Sequence, residues 1–520
     1  MNDKAPSFRA AGTRLKGALR PELSAVCYPV PDDRIRRVLE GVHRFDKAHV
    51  VMLAEAGILA PDDAAALLRA LLDLETREGG VVAARLAIGG GNHSGEKYLT
   101  ELLGEGVAGR IHAGRSSNDI SAVANRLTQQ QGLRDTMALL LALRRSVLVR
   151  AKQDADVLVM GYSHLQHAQP STMGHYWCSW LFGLERDFAR LADLYRRFDF
   201  SPAGAAVLTG SRFALNPART AQLLGFSRVF RNSRDAGWAA DAYQEAAAML
   251  AILLSTTGRI AEDLYLWSTS EFGIVEIDDG FCINSSILPQ KKNPVALEHV
   301  RGIGRIALGR MASVQGAFAS ASDGIVFERY LAAEELWRTF DDAKGVLALL
   351  AAVLDSLDVK ADGALRAFDD SWCWTSDLAA ALVLEHGLPW RTAQQSVSML
   401  VRHMMDAHRS AESVTEADVA QACESYSGQP APSLPAGFVD GVRAPRAIVE
   451  SRIVPGGPAA DDVAQQMAEA EAAWMRDRDT AERFEAAGQA AARQLDAAVD
   501  ALLGHPRPPG HRQDRSATSS

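Results

Sequence analysis

Three short polar segments interrupt a sequence of 520 residues that otherwise favours helices. Residues 114–119 read GRSSND, residues 161–170 read GYSHLQHAQP and residues 284–294 read NSSILPQKKNP. Each segment places hydroxyls, amides or cations at the end of a predicted helix, and a helix start attracts anions through its free N–H groups and its dipole. These first, second and third polar segments are the candidates for a binding or catalytic site.

The first polar segment places Arg115, Ser116 and Asn118 where they could bind a carboxylate. Ordinary N-capping by Ser116, Ser117 or Asn118 explains the same residues equally well.

The second and third polar segments contain groups that could transfer a proton or bind an anion. His164 can act as an acid or a base near neutral pH, although a polar surface histidine is the simpler interpretation. His164 and His167 have no nearby carboxylate and no HExxH motif, so no metal site is expected. The third segment is typical of a loop over an anion, because two serines, two lysines and an asparagine converge; a solvated basic loop is the alternative.

Two glycine-containing stretches resemble nucleotide-binding motifs only superficially. Residues 90–97 lack a P-loop lysine, since Glu96 occupies that position. Residues 302–304 read GIG inside a predicted helix with no strand before it, so they do not form a dinucleotide fingerprint.

Composition indicates a folded chain, with 48% hydrophobic and 23% charged residues. The net charge of −9 disfavours binding to nucleic acid or to a membrane surface, and no apolar run is long enough to span a bilayer. Five scattered cysteines and the absence of a secretory signal predict a cytoplasmic protein. An anionic ligand therefore needs local positive charge, which Arg115, Lys291, Lys292 and two helix starts are expected to supply.

Helical periodicity predicts an all-α fold with a long central bundle. Long helices are expected over residues 119–154 and 239–268, and a third should begin with Asn293 as N-cap and Pro294 at the first position. The predicted domains are a mostly helical N-terminal domain (1–117), a central helix bundle (118–370), a C-terminal helical domain (371–504) and a disordered tail (505–520).

Taken together, the three polar segments resemble the signature regions of the aspartase/fumarase superfamily, most closely those of argininosuccinate lyase. That family reads roughly GRSRND, GYTHLQxAQP and GSSxMPQKKNP. The Gln-Lys-Lys of the third segment differs from the PGKVNP of fumarases and the PHKVNP of adenylosuccinate lyases. Further similarity occurs at residues 232–236, 268–273, 375–379 and 455–458. The resemblance implies the superfamily's three-domain, all-α architecture.

The resemblance also implies a function: a C–N lyase that cleaves an N-substituted aspartate by anti β-elimination, without a cofactor, into fumarate and an amine. Ser285 matches the family's base, His164 the residue that protonates the leaving nitrogen, and Lys291 and Asn293 the groups that hold the dicarboxylate substrate where its charge grows. The other positions that match substrate contacts are Arg115, Ser116, Asn118, Ser163, Gln166 and Ser286. Family members are homotetramers with active sites built from three subunits.

The sequence departs from the family pattern mainly on the side of the leaving amine. On the fumarate side, Ser117 replaces a second arginine. On the amine side, residues 91–93 read GNH instead of Asp-x-His. Residues 237–241 lose the arginine of V-S-D-R-D, and Tyr330 and Ala333 replace a glutamine and a lysine. We therefore expect an aminopolycarboxylate such as ethylenediamine-disuccinate as substrate, with argininosuccinate as the alternative. A catalytically silent, crystallin-like scaffold is the alternative of another class, and the retained catalytic set argues against it.

Overall fold

The computed structural model describes residues 20–27, 33–89, 91–319 and 327–504. Its α-helices are α1 (Pro21–Cys27), α2 (Asp33–Arg36), α3 (Leu39–Glu55), α4 (Pro61–Thr76), α5 (Gly80–Ile88), α6 (Ser94–Leu103), α7 (Glu105–Ala108), α8 (Ser117–Gln153), α9 (Met173–Arg197), α10 (Pro217–Leu224), α11 (Ser233–Trp238), α12 (Asp241–Trp267), α13 (Val295–Phe318), α14 (Phe327–Ser356), α15 (Ala361–Leu365), α16 (Thr375–Leu384), α17 (Trp390–Asp406), α18 (Glu416–Ser427), α19 (Phe438–Arg443), α20 (Pro445–Glu450) and α21 (Ala460–Leu503). Its strands are β1 (Leu158–Ser163), β2 (Gln166–Thr172), β3 (Phe200–Ser201), β4 (Arg228–Val229), β5 (Val275–Glu276), β6 (Ile283–Asn284), β7 (Lys292–Asn293) and β8 (Asp358–Val359).

The all-α prediction is confirmed. Helices α8, α9, α12, α13 and α14 pack side by side as a bundle, and α3 and α21 pack against it. The strands of the described residues form only two-stranded pairs, β1–β2, β3–β4, β5–β8 and β6–β7. Within the same residues, no helix combines the length and the hydropathy that a membrane span requires.

The long helices predicted over residues 119–154 and 239–268 are confirmed as α8 and α12. The predicted start of the third was wrong by one residue. Helix α13 begins at Val295, with Pro294 before it, because Asn293 is extended and pairs with Ile283 in the β6–β7 ladder. Pairing in this ladder closes the third polar segment into a loop.

A second hydrophobic core lies beyond the bundle. It is built mainly from residues 373–448, and Met160 from strand β1 is buried within it. Helix α21 follows this core in the chain and packs on α8 and α9. By its contacts it belongs with the central bundle rather than with a C-terminal domain. The predicted domain division otherwise stays a prediction, and its tail, residues 505–520, lies outside the described residues.

A buried ion cluster anchors the first polar segment to helix α3. Asp46 accepts from Arg85 Nη2 at 2.6 Å and from Arg115 Nη1 at 2.7 Å, and all three side chains are at most 2% exposed. Burial alone would raise the pKa of Asp46, but the charges of Arg115 and Arg85 outweigh it and leave this pKa below its ordinary value. The carboxylate therefore remains charged inside the protein and fixes the backbone around residue 115.

Replacing Asp46 with alanine should destabilise the fold strongly, because it leaves two buried guanidinium groups without their anion. We expect a loss of about 3–5 kcal/mol in the free energy of unfolding, measured by guanidinium chloride titration. Asp341→Ala is the control, since Asp341 pairs with Arg37 at the surface and should contribute less than about 1 kcal/mol. Equal losses in the two variants would contradict the proposed role of the cluster.

Candidate active site

The first polar segment forms the capped start of α8. Ser116 is the N-cap: its Oγ accepts from Asn118 N at 3.1 Å and donates to Ala206 O at 2.8 Å. Asp119 completes a capping box by accepting from Ser116 N at 3.1 Å. Ser116 and Asp119 therefore cap the helix, as the simpler interpretation of this segment predicts. The side-chain amide of Asn118 and the exposed hydroxyl of Ser117 also lie at the helix start.

Arg115 does not have the position expected of a direct substrate contact. Its guanidinium is buried and bound to Asp46, so we revise its role to that of a residue that positions the segment. The sequence could not reveal this, because Asp46 lies 69 positions earlier in the chain.

A cluster of two histidines and a glutamate adjoins Ser117. His93 Nε2 lies 2.9 Å from Ser117 Oγ, and both His93 Nδ1 and His112 Nδ1 lie close to Glu96 Oε2, at 3.3 and 3.2 Å. Burial would raise the pKa of Glu96, but the two imidazoles outweigh it and hold this pKa well below its ordinary value. The donor atoms lie within 4.8 Å of one another, so two imidazoles and a carboxylate could hold a divalent cation. Sequence reasoning noted His93 but missed Glu96 and His112.

The second polar segment is not an open loop between helices but a β-hairpin of strands β1 and β2. His164 and Leu165 form its turn with φ of 55° and 58°, as in a type I′ turn, and Ser163 pairs with Gln166 across it. The turn lacks the Asn-Gly or Asp-Gly pair that is typical of such hairpins, so the sequence pattern does not predict a hairpin here. Positive φ in two non-glycine residues is strained backbone of the kind that concentrates at functional sites.

Contacts at the hairpin stem hold its tip in place. Tyr162 packs on Phe272 with ring centroids 5.2 Å apart, and Gln169 Nε2 donates to Ser376 Oγ at 3.1 Å. Ser163, His164 and Gln166 are exposed at the tip. The stem thus contacts both Phe272, which packs against the bundle core, and Ser376 of α16 beside the second core, while His164 is exposed at the tip.

The third polar segment forms a loop around the hydroxyl of Ser285. Ser285 Oγ accepts from the backbone N–H groups of Ile287, at 3.3 Å, and Leu288, at 3.0 Å. Two N–H donors directed at one oxygen stabilise negative charge on it. Lys291 is exposed in the same loop, and its ammonium group has no partner among the described residues.

Lys292 does not supply the free positive charge expected of it. Its Nζ lies 2.7 Å from Asp279 and 3.0 Å from Glu276, and hydrogen bonding to Asp279 is the main reason that its pKa is raised. The expected positive charge of the site therefore rests on Lys291 and the helix starts rather than on Arg115 and Lys292.

The first polar segment lies at the opposite end of the bundle from the other two. It precedes α8, whose 37 residues span about 55 Å, and the hairpin begins five residues after α8 ends. The third segment lies near the hairpin end, because Arg301 and Glu298 of α13 contact Glu262 and Tyr265 at the end of α12. One chain therefore cannot bring all three segments together.

Comparison with known proteins identifies the group to which this arrangement belongs. Residues 36–309 match the lyase family model. The argininosuccinate lyase of Methanosarcina mazei is 33% identical over 80% of this chain and 84% of its own length, and that of Methanoculleus marisnigri is 35% identical over 85% and 89%. The chain belongs to the argininosuccinate lyase family. It is a carbon–nitrogen lyase of the aspartase/fumarase superfamily, as the polar segments predicted.

Solved structures of this family extend the similarity over nearly the whole chain. EDDS lyase in complex with formate is 27% identical, covers 94% of this chain and 97% of its own, and superimposes with a TM-score of 0.83. The roles predicted for individual residues of this family member remain predictions.

Asp119, in the capping box of this lyase, should make stability depend on pH. Burial raises its pKa to about 7 from an ordinary 3.8. Between about pH 4 and 7 the Asp119 carboxyl is deprotonated in the unfolded chain but still protonated in the folded protein. The free energy of unfolding therefore falls as pH rises through that window. Asp119→Asn replaces the titrating carboxyl with an amide, whose oxygen can still accept from Ser116 N.

Relative to wild type, Asp119→Asn should gain stability from about pH 4 to 7, by up to about 4 kcal/mol, and then level off. Thermal unfolding over this pH range measures the difference, with Asp135→Asn, on the same helix, as the control. A difference between Asp119→Asn and wild type that does not change with pH would contradict the prediction.

Proposed function

We propose that this lyase cleaves an N-substituted aspartate by anti β-elimination and releases fumarate and an amine. The observation that carries the proposal is the environment of Ser285. Its Oγ accepts two backbone N–H groups, and Lys291 of the same loop has no partner among the described residues. A serine hydroxyl is a weak base, and it becomes an effective one only where its alkoxide is stabilised. The loop supplies that stabilisation before the substrate binds.

In the proposed reaction, the Ser285 alkoxide removes the proton from the carbon beside one carboxylate. Negative charge then moves onto that carboxylate, which becomes a dianionic aci-carboxylate. Lys291, Asn293 and Ser286 stabilise this charge, which exists only in the transition state and the intermediate. The positively charged loop therefore lowers the barrier rather than merely binding the substrate.

The second half of the reaction breaks the C–N bond. The bonding electrons leave with nitrogen, and His164 at the hairpin tip supplies the proton that makes the amine a good leaving group. Ser163 and Gln166 flank it on the same exposed turn. Asn118 and the start of α8 hold the remaining carboxylate, while Ser116, whose hydroxyl donates to Ala206 O, caps the helix instead of contacting the substrate as expected.

This mechanism requires an oligomer, which we propose to be a homotetramer like those of the family. Because about 55 Å of α8 separates the first segment from the other two, a complete site must combine segments from different chains. The arrangement in which three subunits each contribute one segment satisfies this distance.

For the substrate, we propose an aminopolycarboxylate such as ethylenediamine-disuccinate. Ala333, at the family's lysine position, is buried in the core, and Tyr330 accepts from Asn92 Nδ2 at 3.4 Å. These changes alter the amine side and leave the elimination residues in place. The similarity to EDDS lyase supports the same choice.

Argininosuccinate is the second candidate, favoured by the names of the curated relatives. Running the reaction in reverse, with fumarate and alternative amines, distinguishes the two. Arginine as much the best amine would select argininosuccinate.

Ser285→Ala should lower kcat by about 10²–10⁴-fold with little change in KM, because it removes the base and leaves the carboxylate contacts. The measurement is fumarate consumption with the best amine. Ser313→Ala, on α13, is the control, since the Ser313 hydroxyl only donates to Gly309 O. Near wild-type turnover by Ser285→Ala would refute the assignment of the base.

Mixing two inactive variants should restore activity if the hairpin and the third segment of one site come from different chains. Ser285→Ala retains an intact hairpin, and His164→Asn retains an intact third segment. After joint refolding, roughly a quarter of the sites in random tetramers should combine two intact segments. Activity of the mixture no greater than that of the separate variants would argue that the hairpin and the third segment of one site come from the same chain.

A further inference from the structure

The cluster of His93, Glu96 and His112 beside the first polar segment is not used by any step of the proposed elimination. His93 ends the short 3₁₀ turn before α6, and Glu96 lies in the first turn of α6. His112 ends the 3₁₀ turn that leads into residues 114–119. All three residues are partly buried. The fold therefore brings two imidazoles and a carboxylate together from two separate parts of the chain.

The spacing of these donor atoms suits a divalent ion. Glu96 Oε2 lies 3.3 Å from Nδ1 of His93 and 3.2 Å from Nδ1 of His112. Two ligands of a tetrahedral Zn²⁺ ion, each about 2.0–2.2 Å from the metal, are roughly 3.3–3.6 Å apart. The three donor atoms all lie within 4.8 Å of one another, so a small side-chain movement closes the set. Water or a ligand can then take a fourth position.

His112 contributes an unsatisfied nitrogen to this cluster. Its Nδ1 is buried and forms no hydrogen bond with the described residues, because Glu96 approaches it at 3.2 Å without the direction that a hydrogen bond needs. The rings of His93 and His112 lie side by side, with centroids 5.3 Å apart. A buried polar atom without a partner is unfavourable, and a metal ion would satisfy it through the nitrogen lone pair.

The ligand types indicate which class of ion fits. Imidazole together with carboxylate suits Zn²⁺, Co²⁺ or Ni²⁺, whereas Mg²⁺ and Ca²⁺ prefer sites made of oxygen ligands. Glu96 is the single carboxylate of the three ligands, so a bound divalent ion leaves the cluster with one net positive charge. The start of α8, where a substrate carboxylate is proposed to bind, lies next to it.

Ser117 connects the cluster to the start of α8. His93 Nε2 lies 2.9 Å from Ser117 Oγ, whereas Nδ1 of the same ring faces Glu96. While Nδ1 donates to Glu96, Nε2 is an acceptor and receives the hydrogen bond of the Ser117 hydroxyl. A metal ion on Nδ1 makes Nε2 the protonated nitrogen, which donates to Ser117 Oγ instead. The Ser117 hydroxyl can then donate to an anion at the helix start.

We propose that His93, Glu96 and His112 bind one divalent transition-metal ion, and that this ion, through His93, frees the Ser117 hydroxyl to donate to the substrate carboxylate at the start of α8. The second part of this inference rests on the proposed function. Ser117 stands at the position of the family's second arginine, so the ion and the hydroxyl together restore a positive charge and a donor near that position. The proton transfers proposed for Ser285 and His164 do not pass through the ion.

Titration of the full-length, untagged protein with Co²⁺ tests the site directly. After treatment with a chelator, and at about pH 8, where an ordinary imidazole is neutral, we expect one ion per chain and the visible absorption of tetrahedral Co²⁺. His112→Asn and Glu96→Gln should each weaken binding at least about tenfold, the loss typical of removing even an outer partner of a metal ligand. His403→Asn changes an exposed histidine of α17 and should bind as wild type does.

Kinetics in the direction that consumes fumarate test the link to the substrate. Added Zn²⁺ should lower the KM for fumarate about tenfold in wild type and leave kcat nearly unchanged, because one hydrogen bond to a carboxylate is gained. Ser117→Ala should bind the ion as wild type does but lose this effect on KM. Thermal unfolding of each variant checks that it is folded.

The outcomes separate this inference from the proposed function. Absence of Co²⁺ binding in wild type, or equal binding by wild type, His112→Asn and Glu96→Gln, overturns the metal site. Binding without a change in KM, or the same change in Ser117→Ala, overturns the link to the substrate. If no amine consumes fumarate with or without the ion, the proposed elimination fails, and the Co²⁺ titration still decides whether the metal site exists.

Discussion

The length of helix α8 is the constraint on which the rest of this structure depends. Its 37 residues hold the first polar segment about 55 Å from the hairpin, so neither loop can work alone. The bundle formed by α8, α9, α12, α13 and α14 keeps that distance rigid through a continuous hydrophobic core. In the proposed tetramer, the separation that disables one chain is what allows neighbouring chains to complete each other's sites.

The positive charge of the site comes from a few groups near it, and a count of the charged residues in the sequence does not reveal which groups these are. A chain of net charge −9 needs cations where a dicarboxylate binds. Two of the expected cations are already neutralised, Arg115 by Asp46 and Lys292 by Glu276 and Asp279. Lys291 remains available, and backbone N–H groups at Ser285 and at the start of α8 supply the rest. Much of the site's positive potential thus comes from backbone conformation.

In the proposed function, the departures from the family pattern concern the substrate and not the elimination chemistry. In the proposed enzyme, the third segment and the hairpin retain the residues of the elimination, whereas Tyr330 and Ala333 alter the surroundings of the leaving group. In the proposed enzyme, substrate choice therefore follows from which charges line the amine pocket, while Ser285 and His164 serve any N-substituted aspartate.

The sequence by itself determined the all-α fold, the family and the long helices α8 and α12. These depend on local periodicity and on contiguous motifs, which can be read along the chain. The hairpin at His164 escaped prediction, because its strained turn is held by contacts with distant residues such as Ser376 and Phe272. Helix α13 begins one residue later than predicted, because Asn293 pairs with Ile283 in the β6–β7 ladder instead of capping the helix.

Tertiary structure alone decided which charges are free. Arg115 looked like a ligand contact until the fold placed Asp46 beside it, and Lys292 looked like a free cation until the fold placed Glu276 and Asp279 beside it. A sequence states which ionisable groups exist, but their availability depends on burial and on partners far away in the chain. Those are properties of packing, and they arise only when the helices come together.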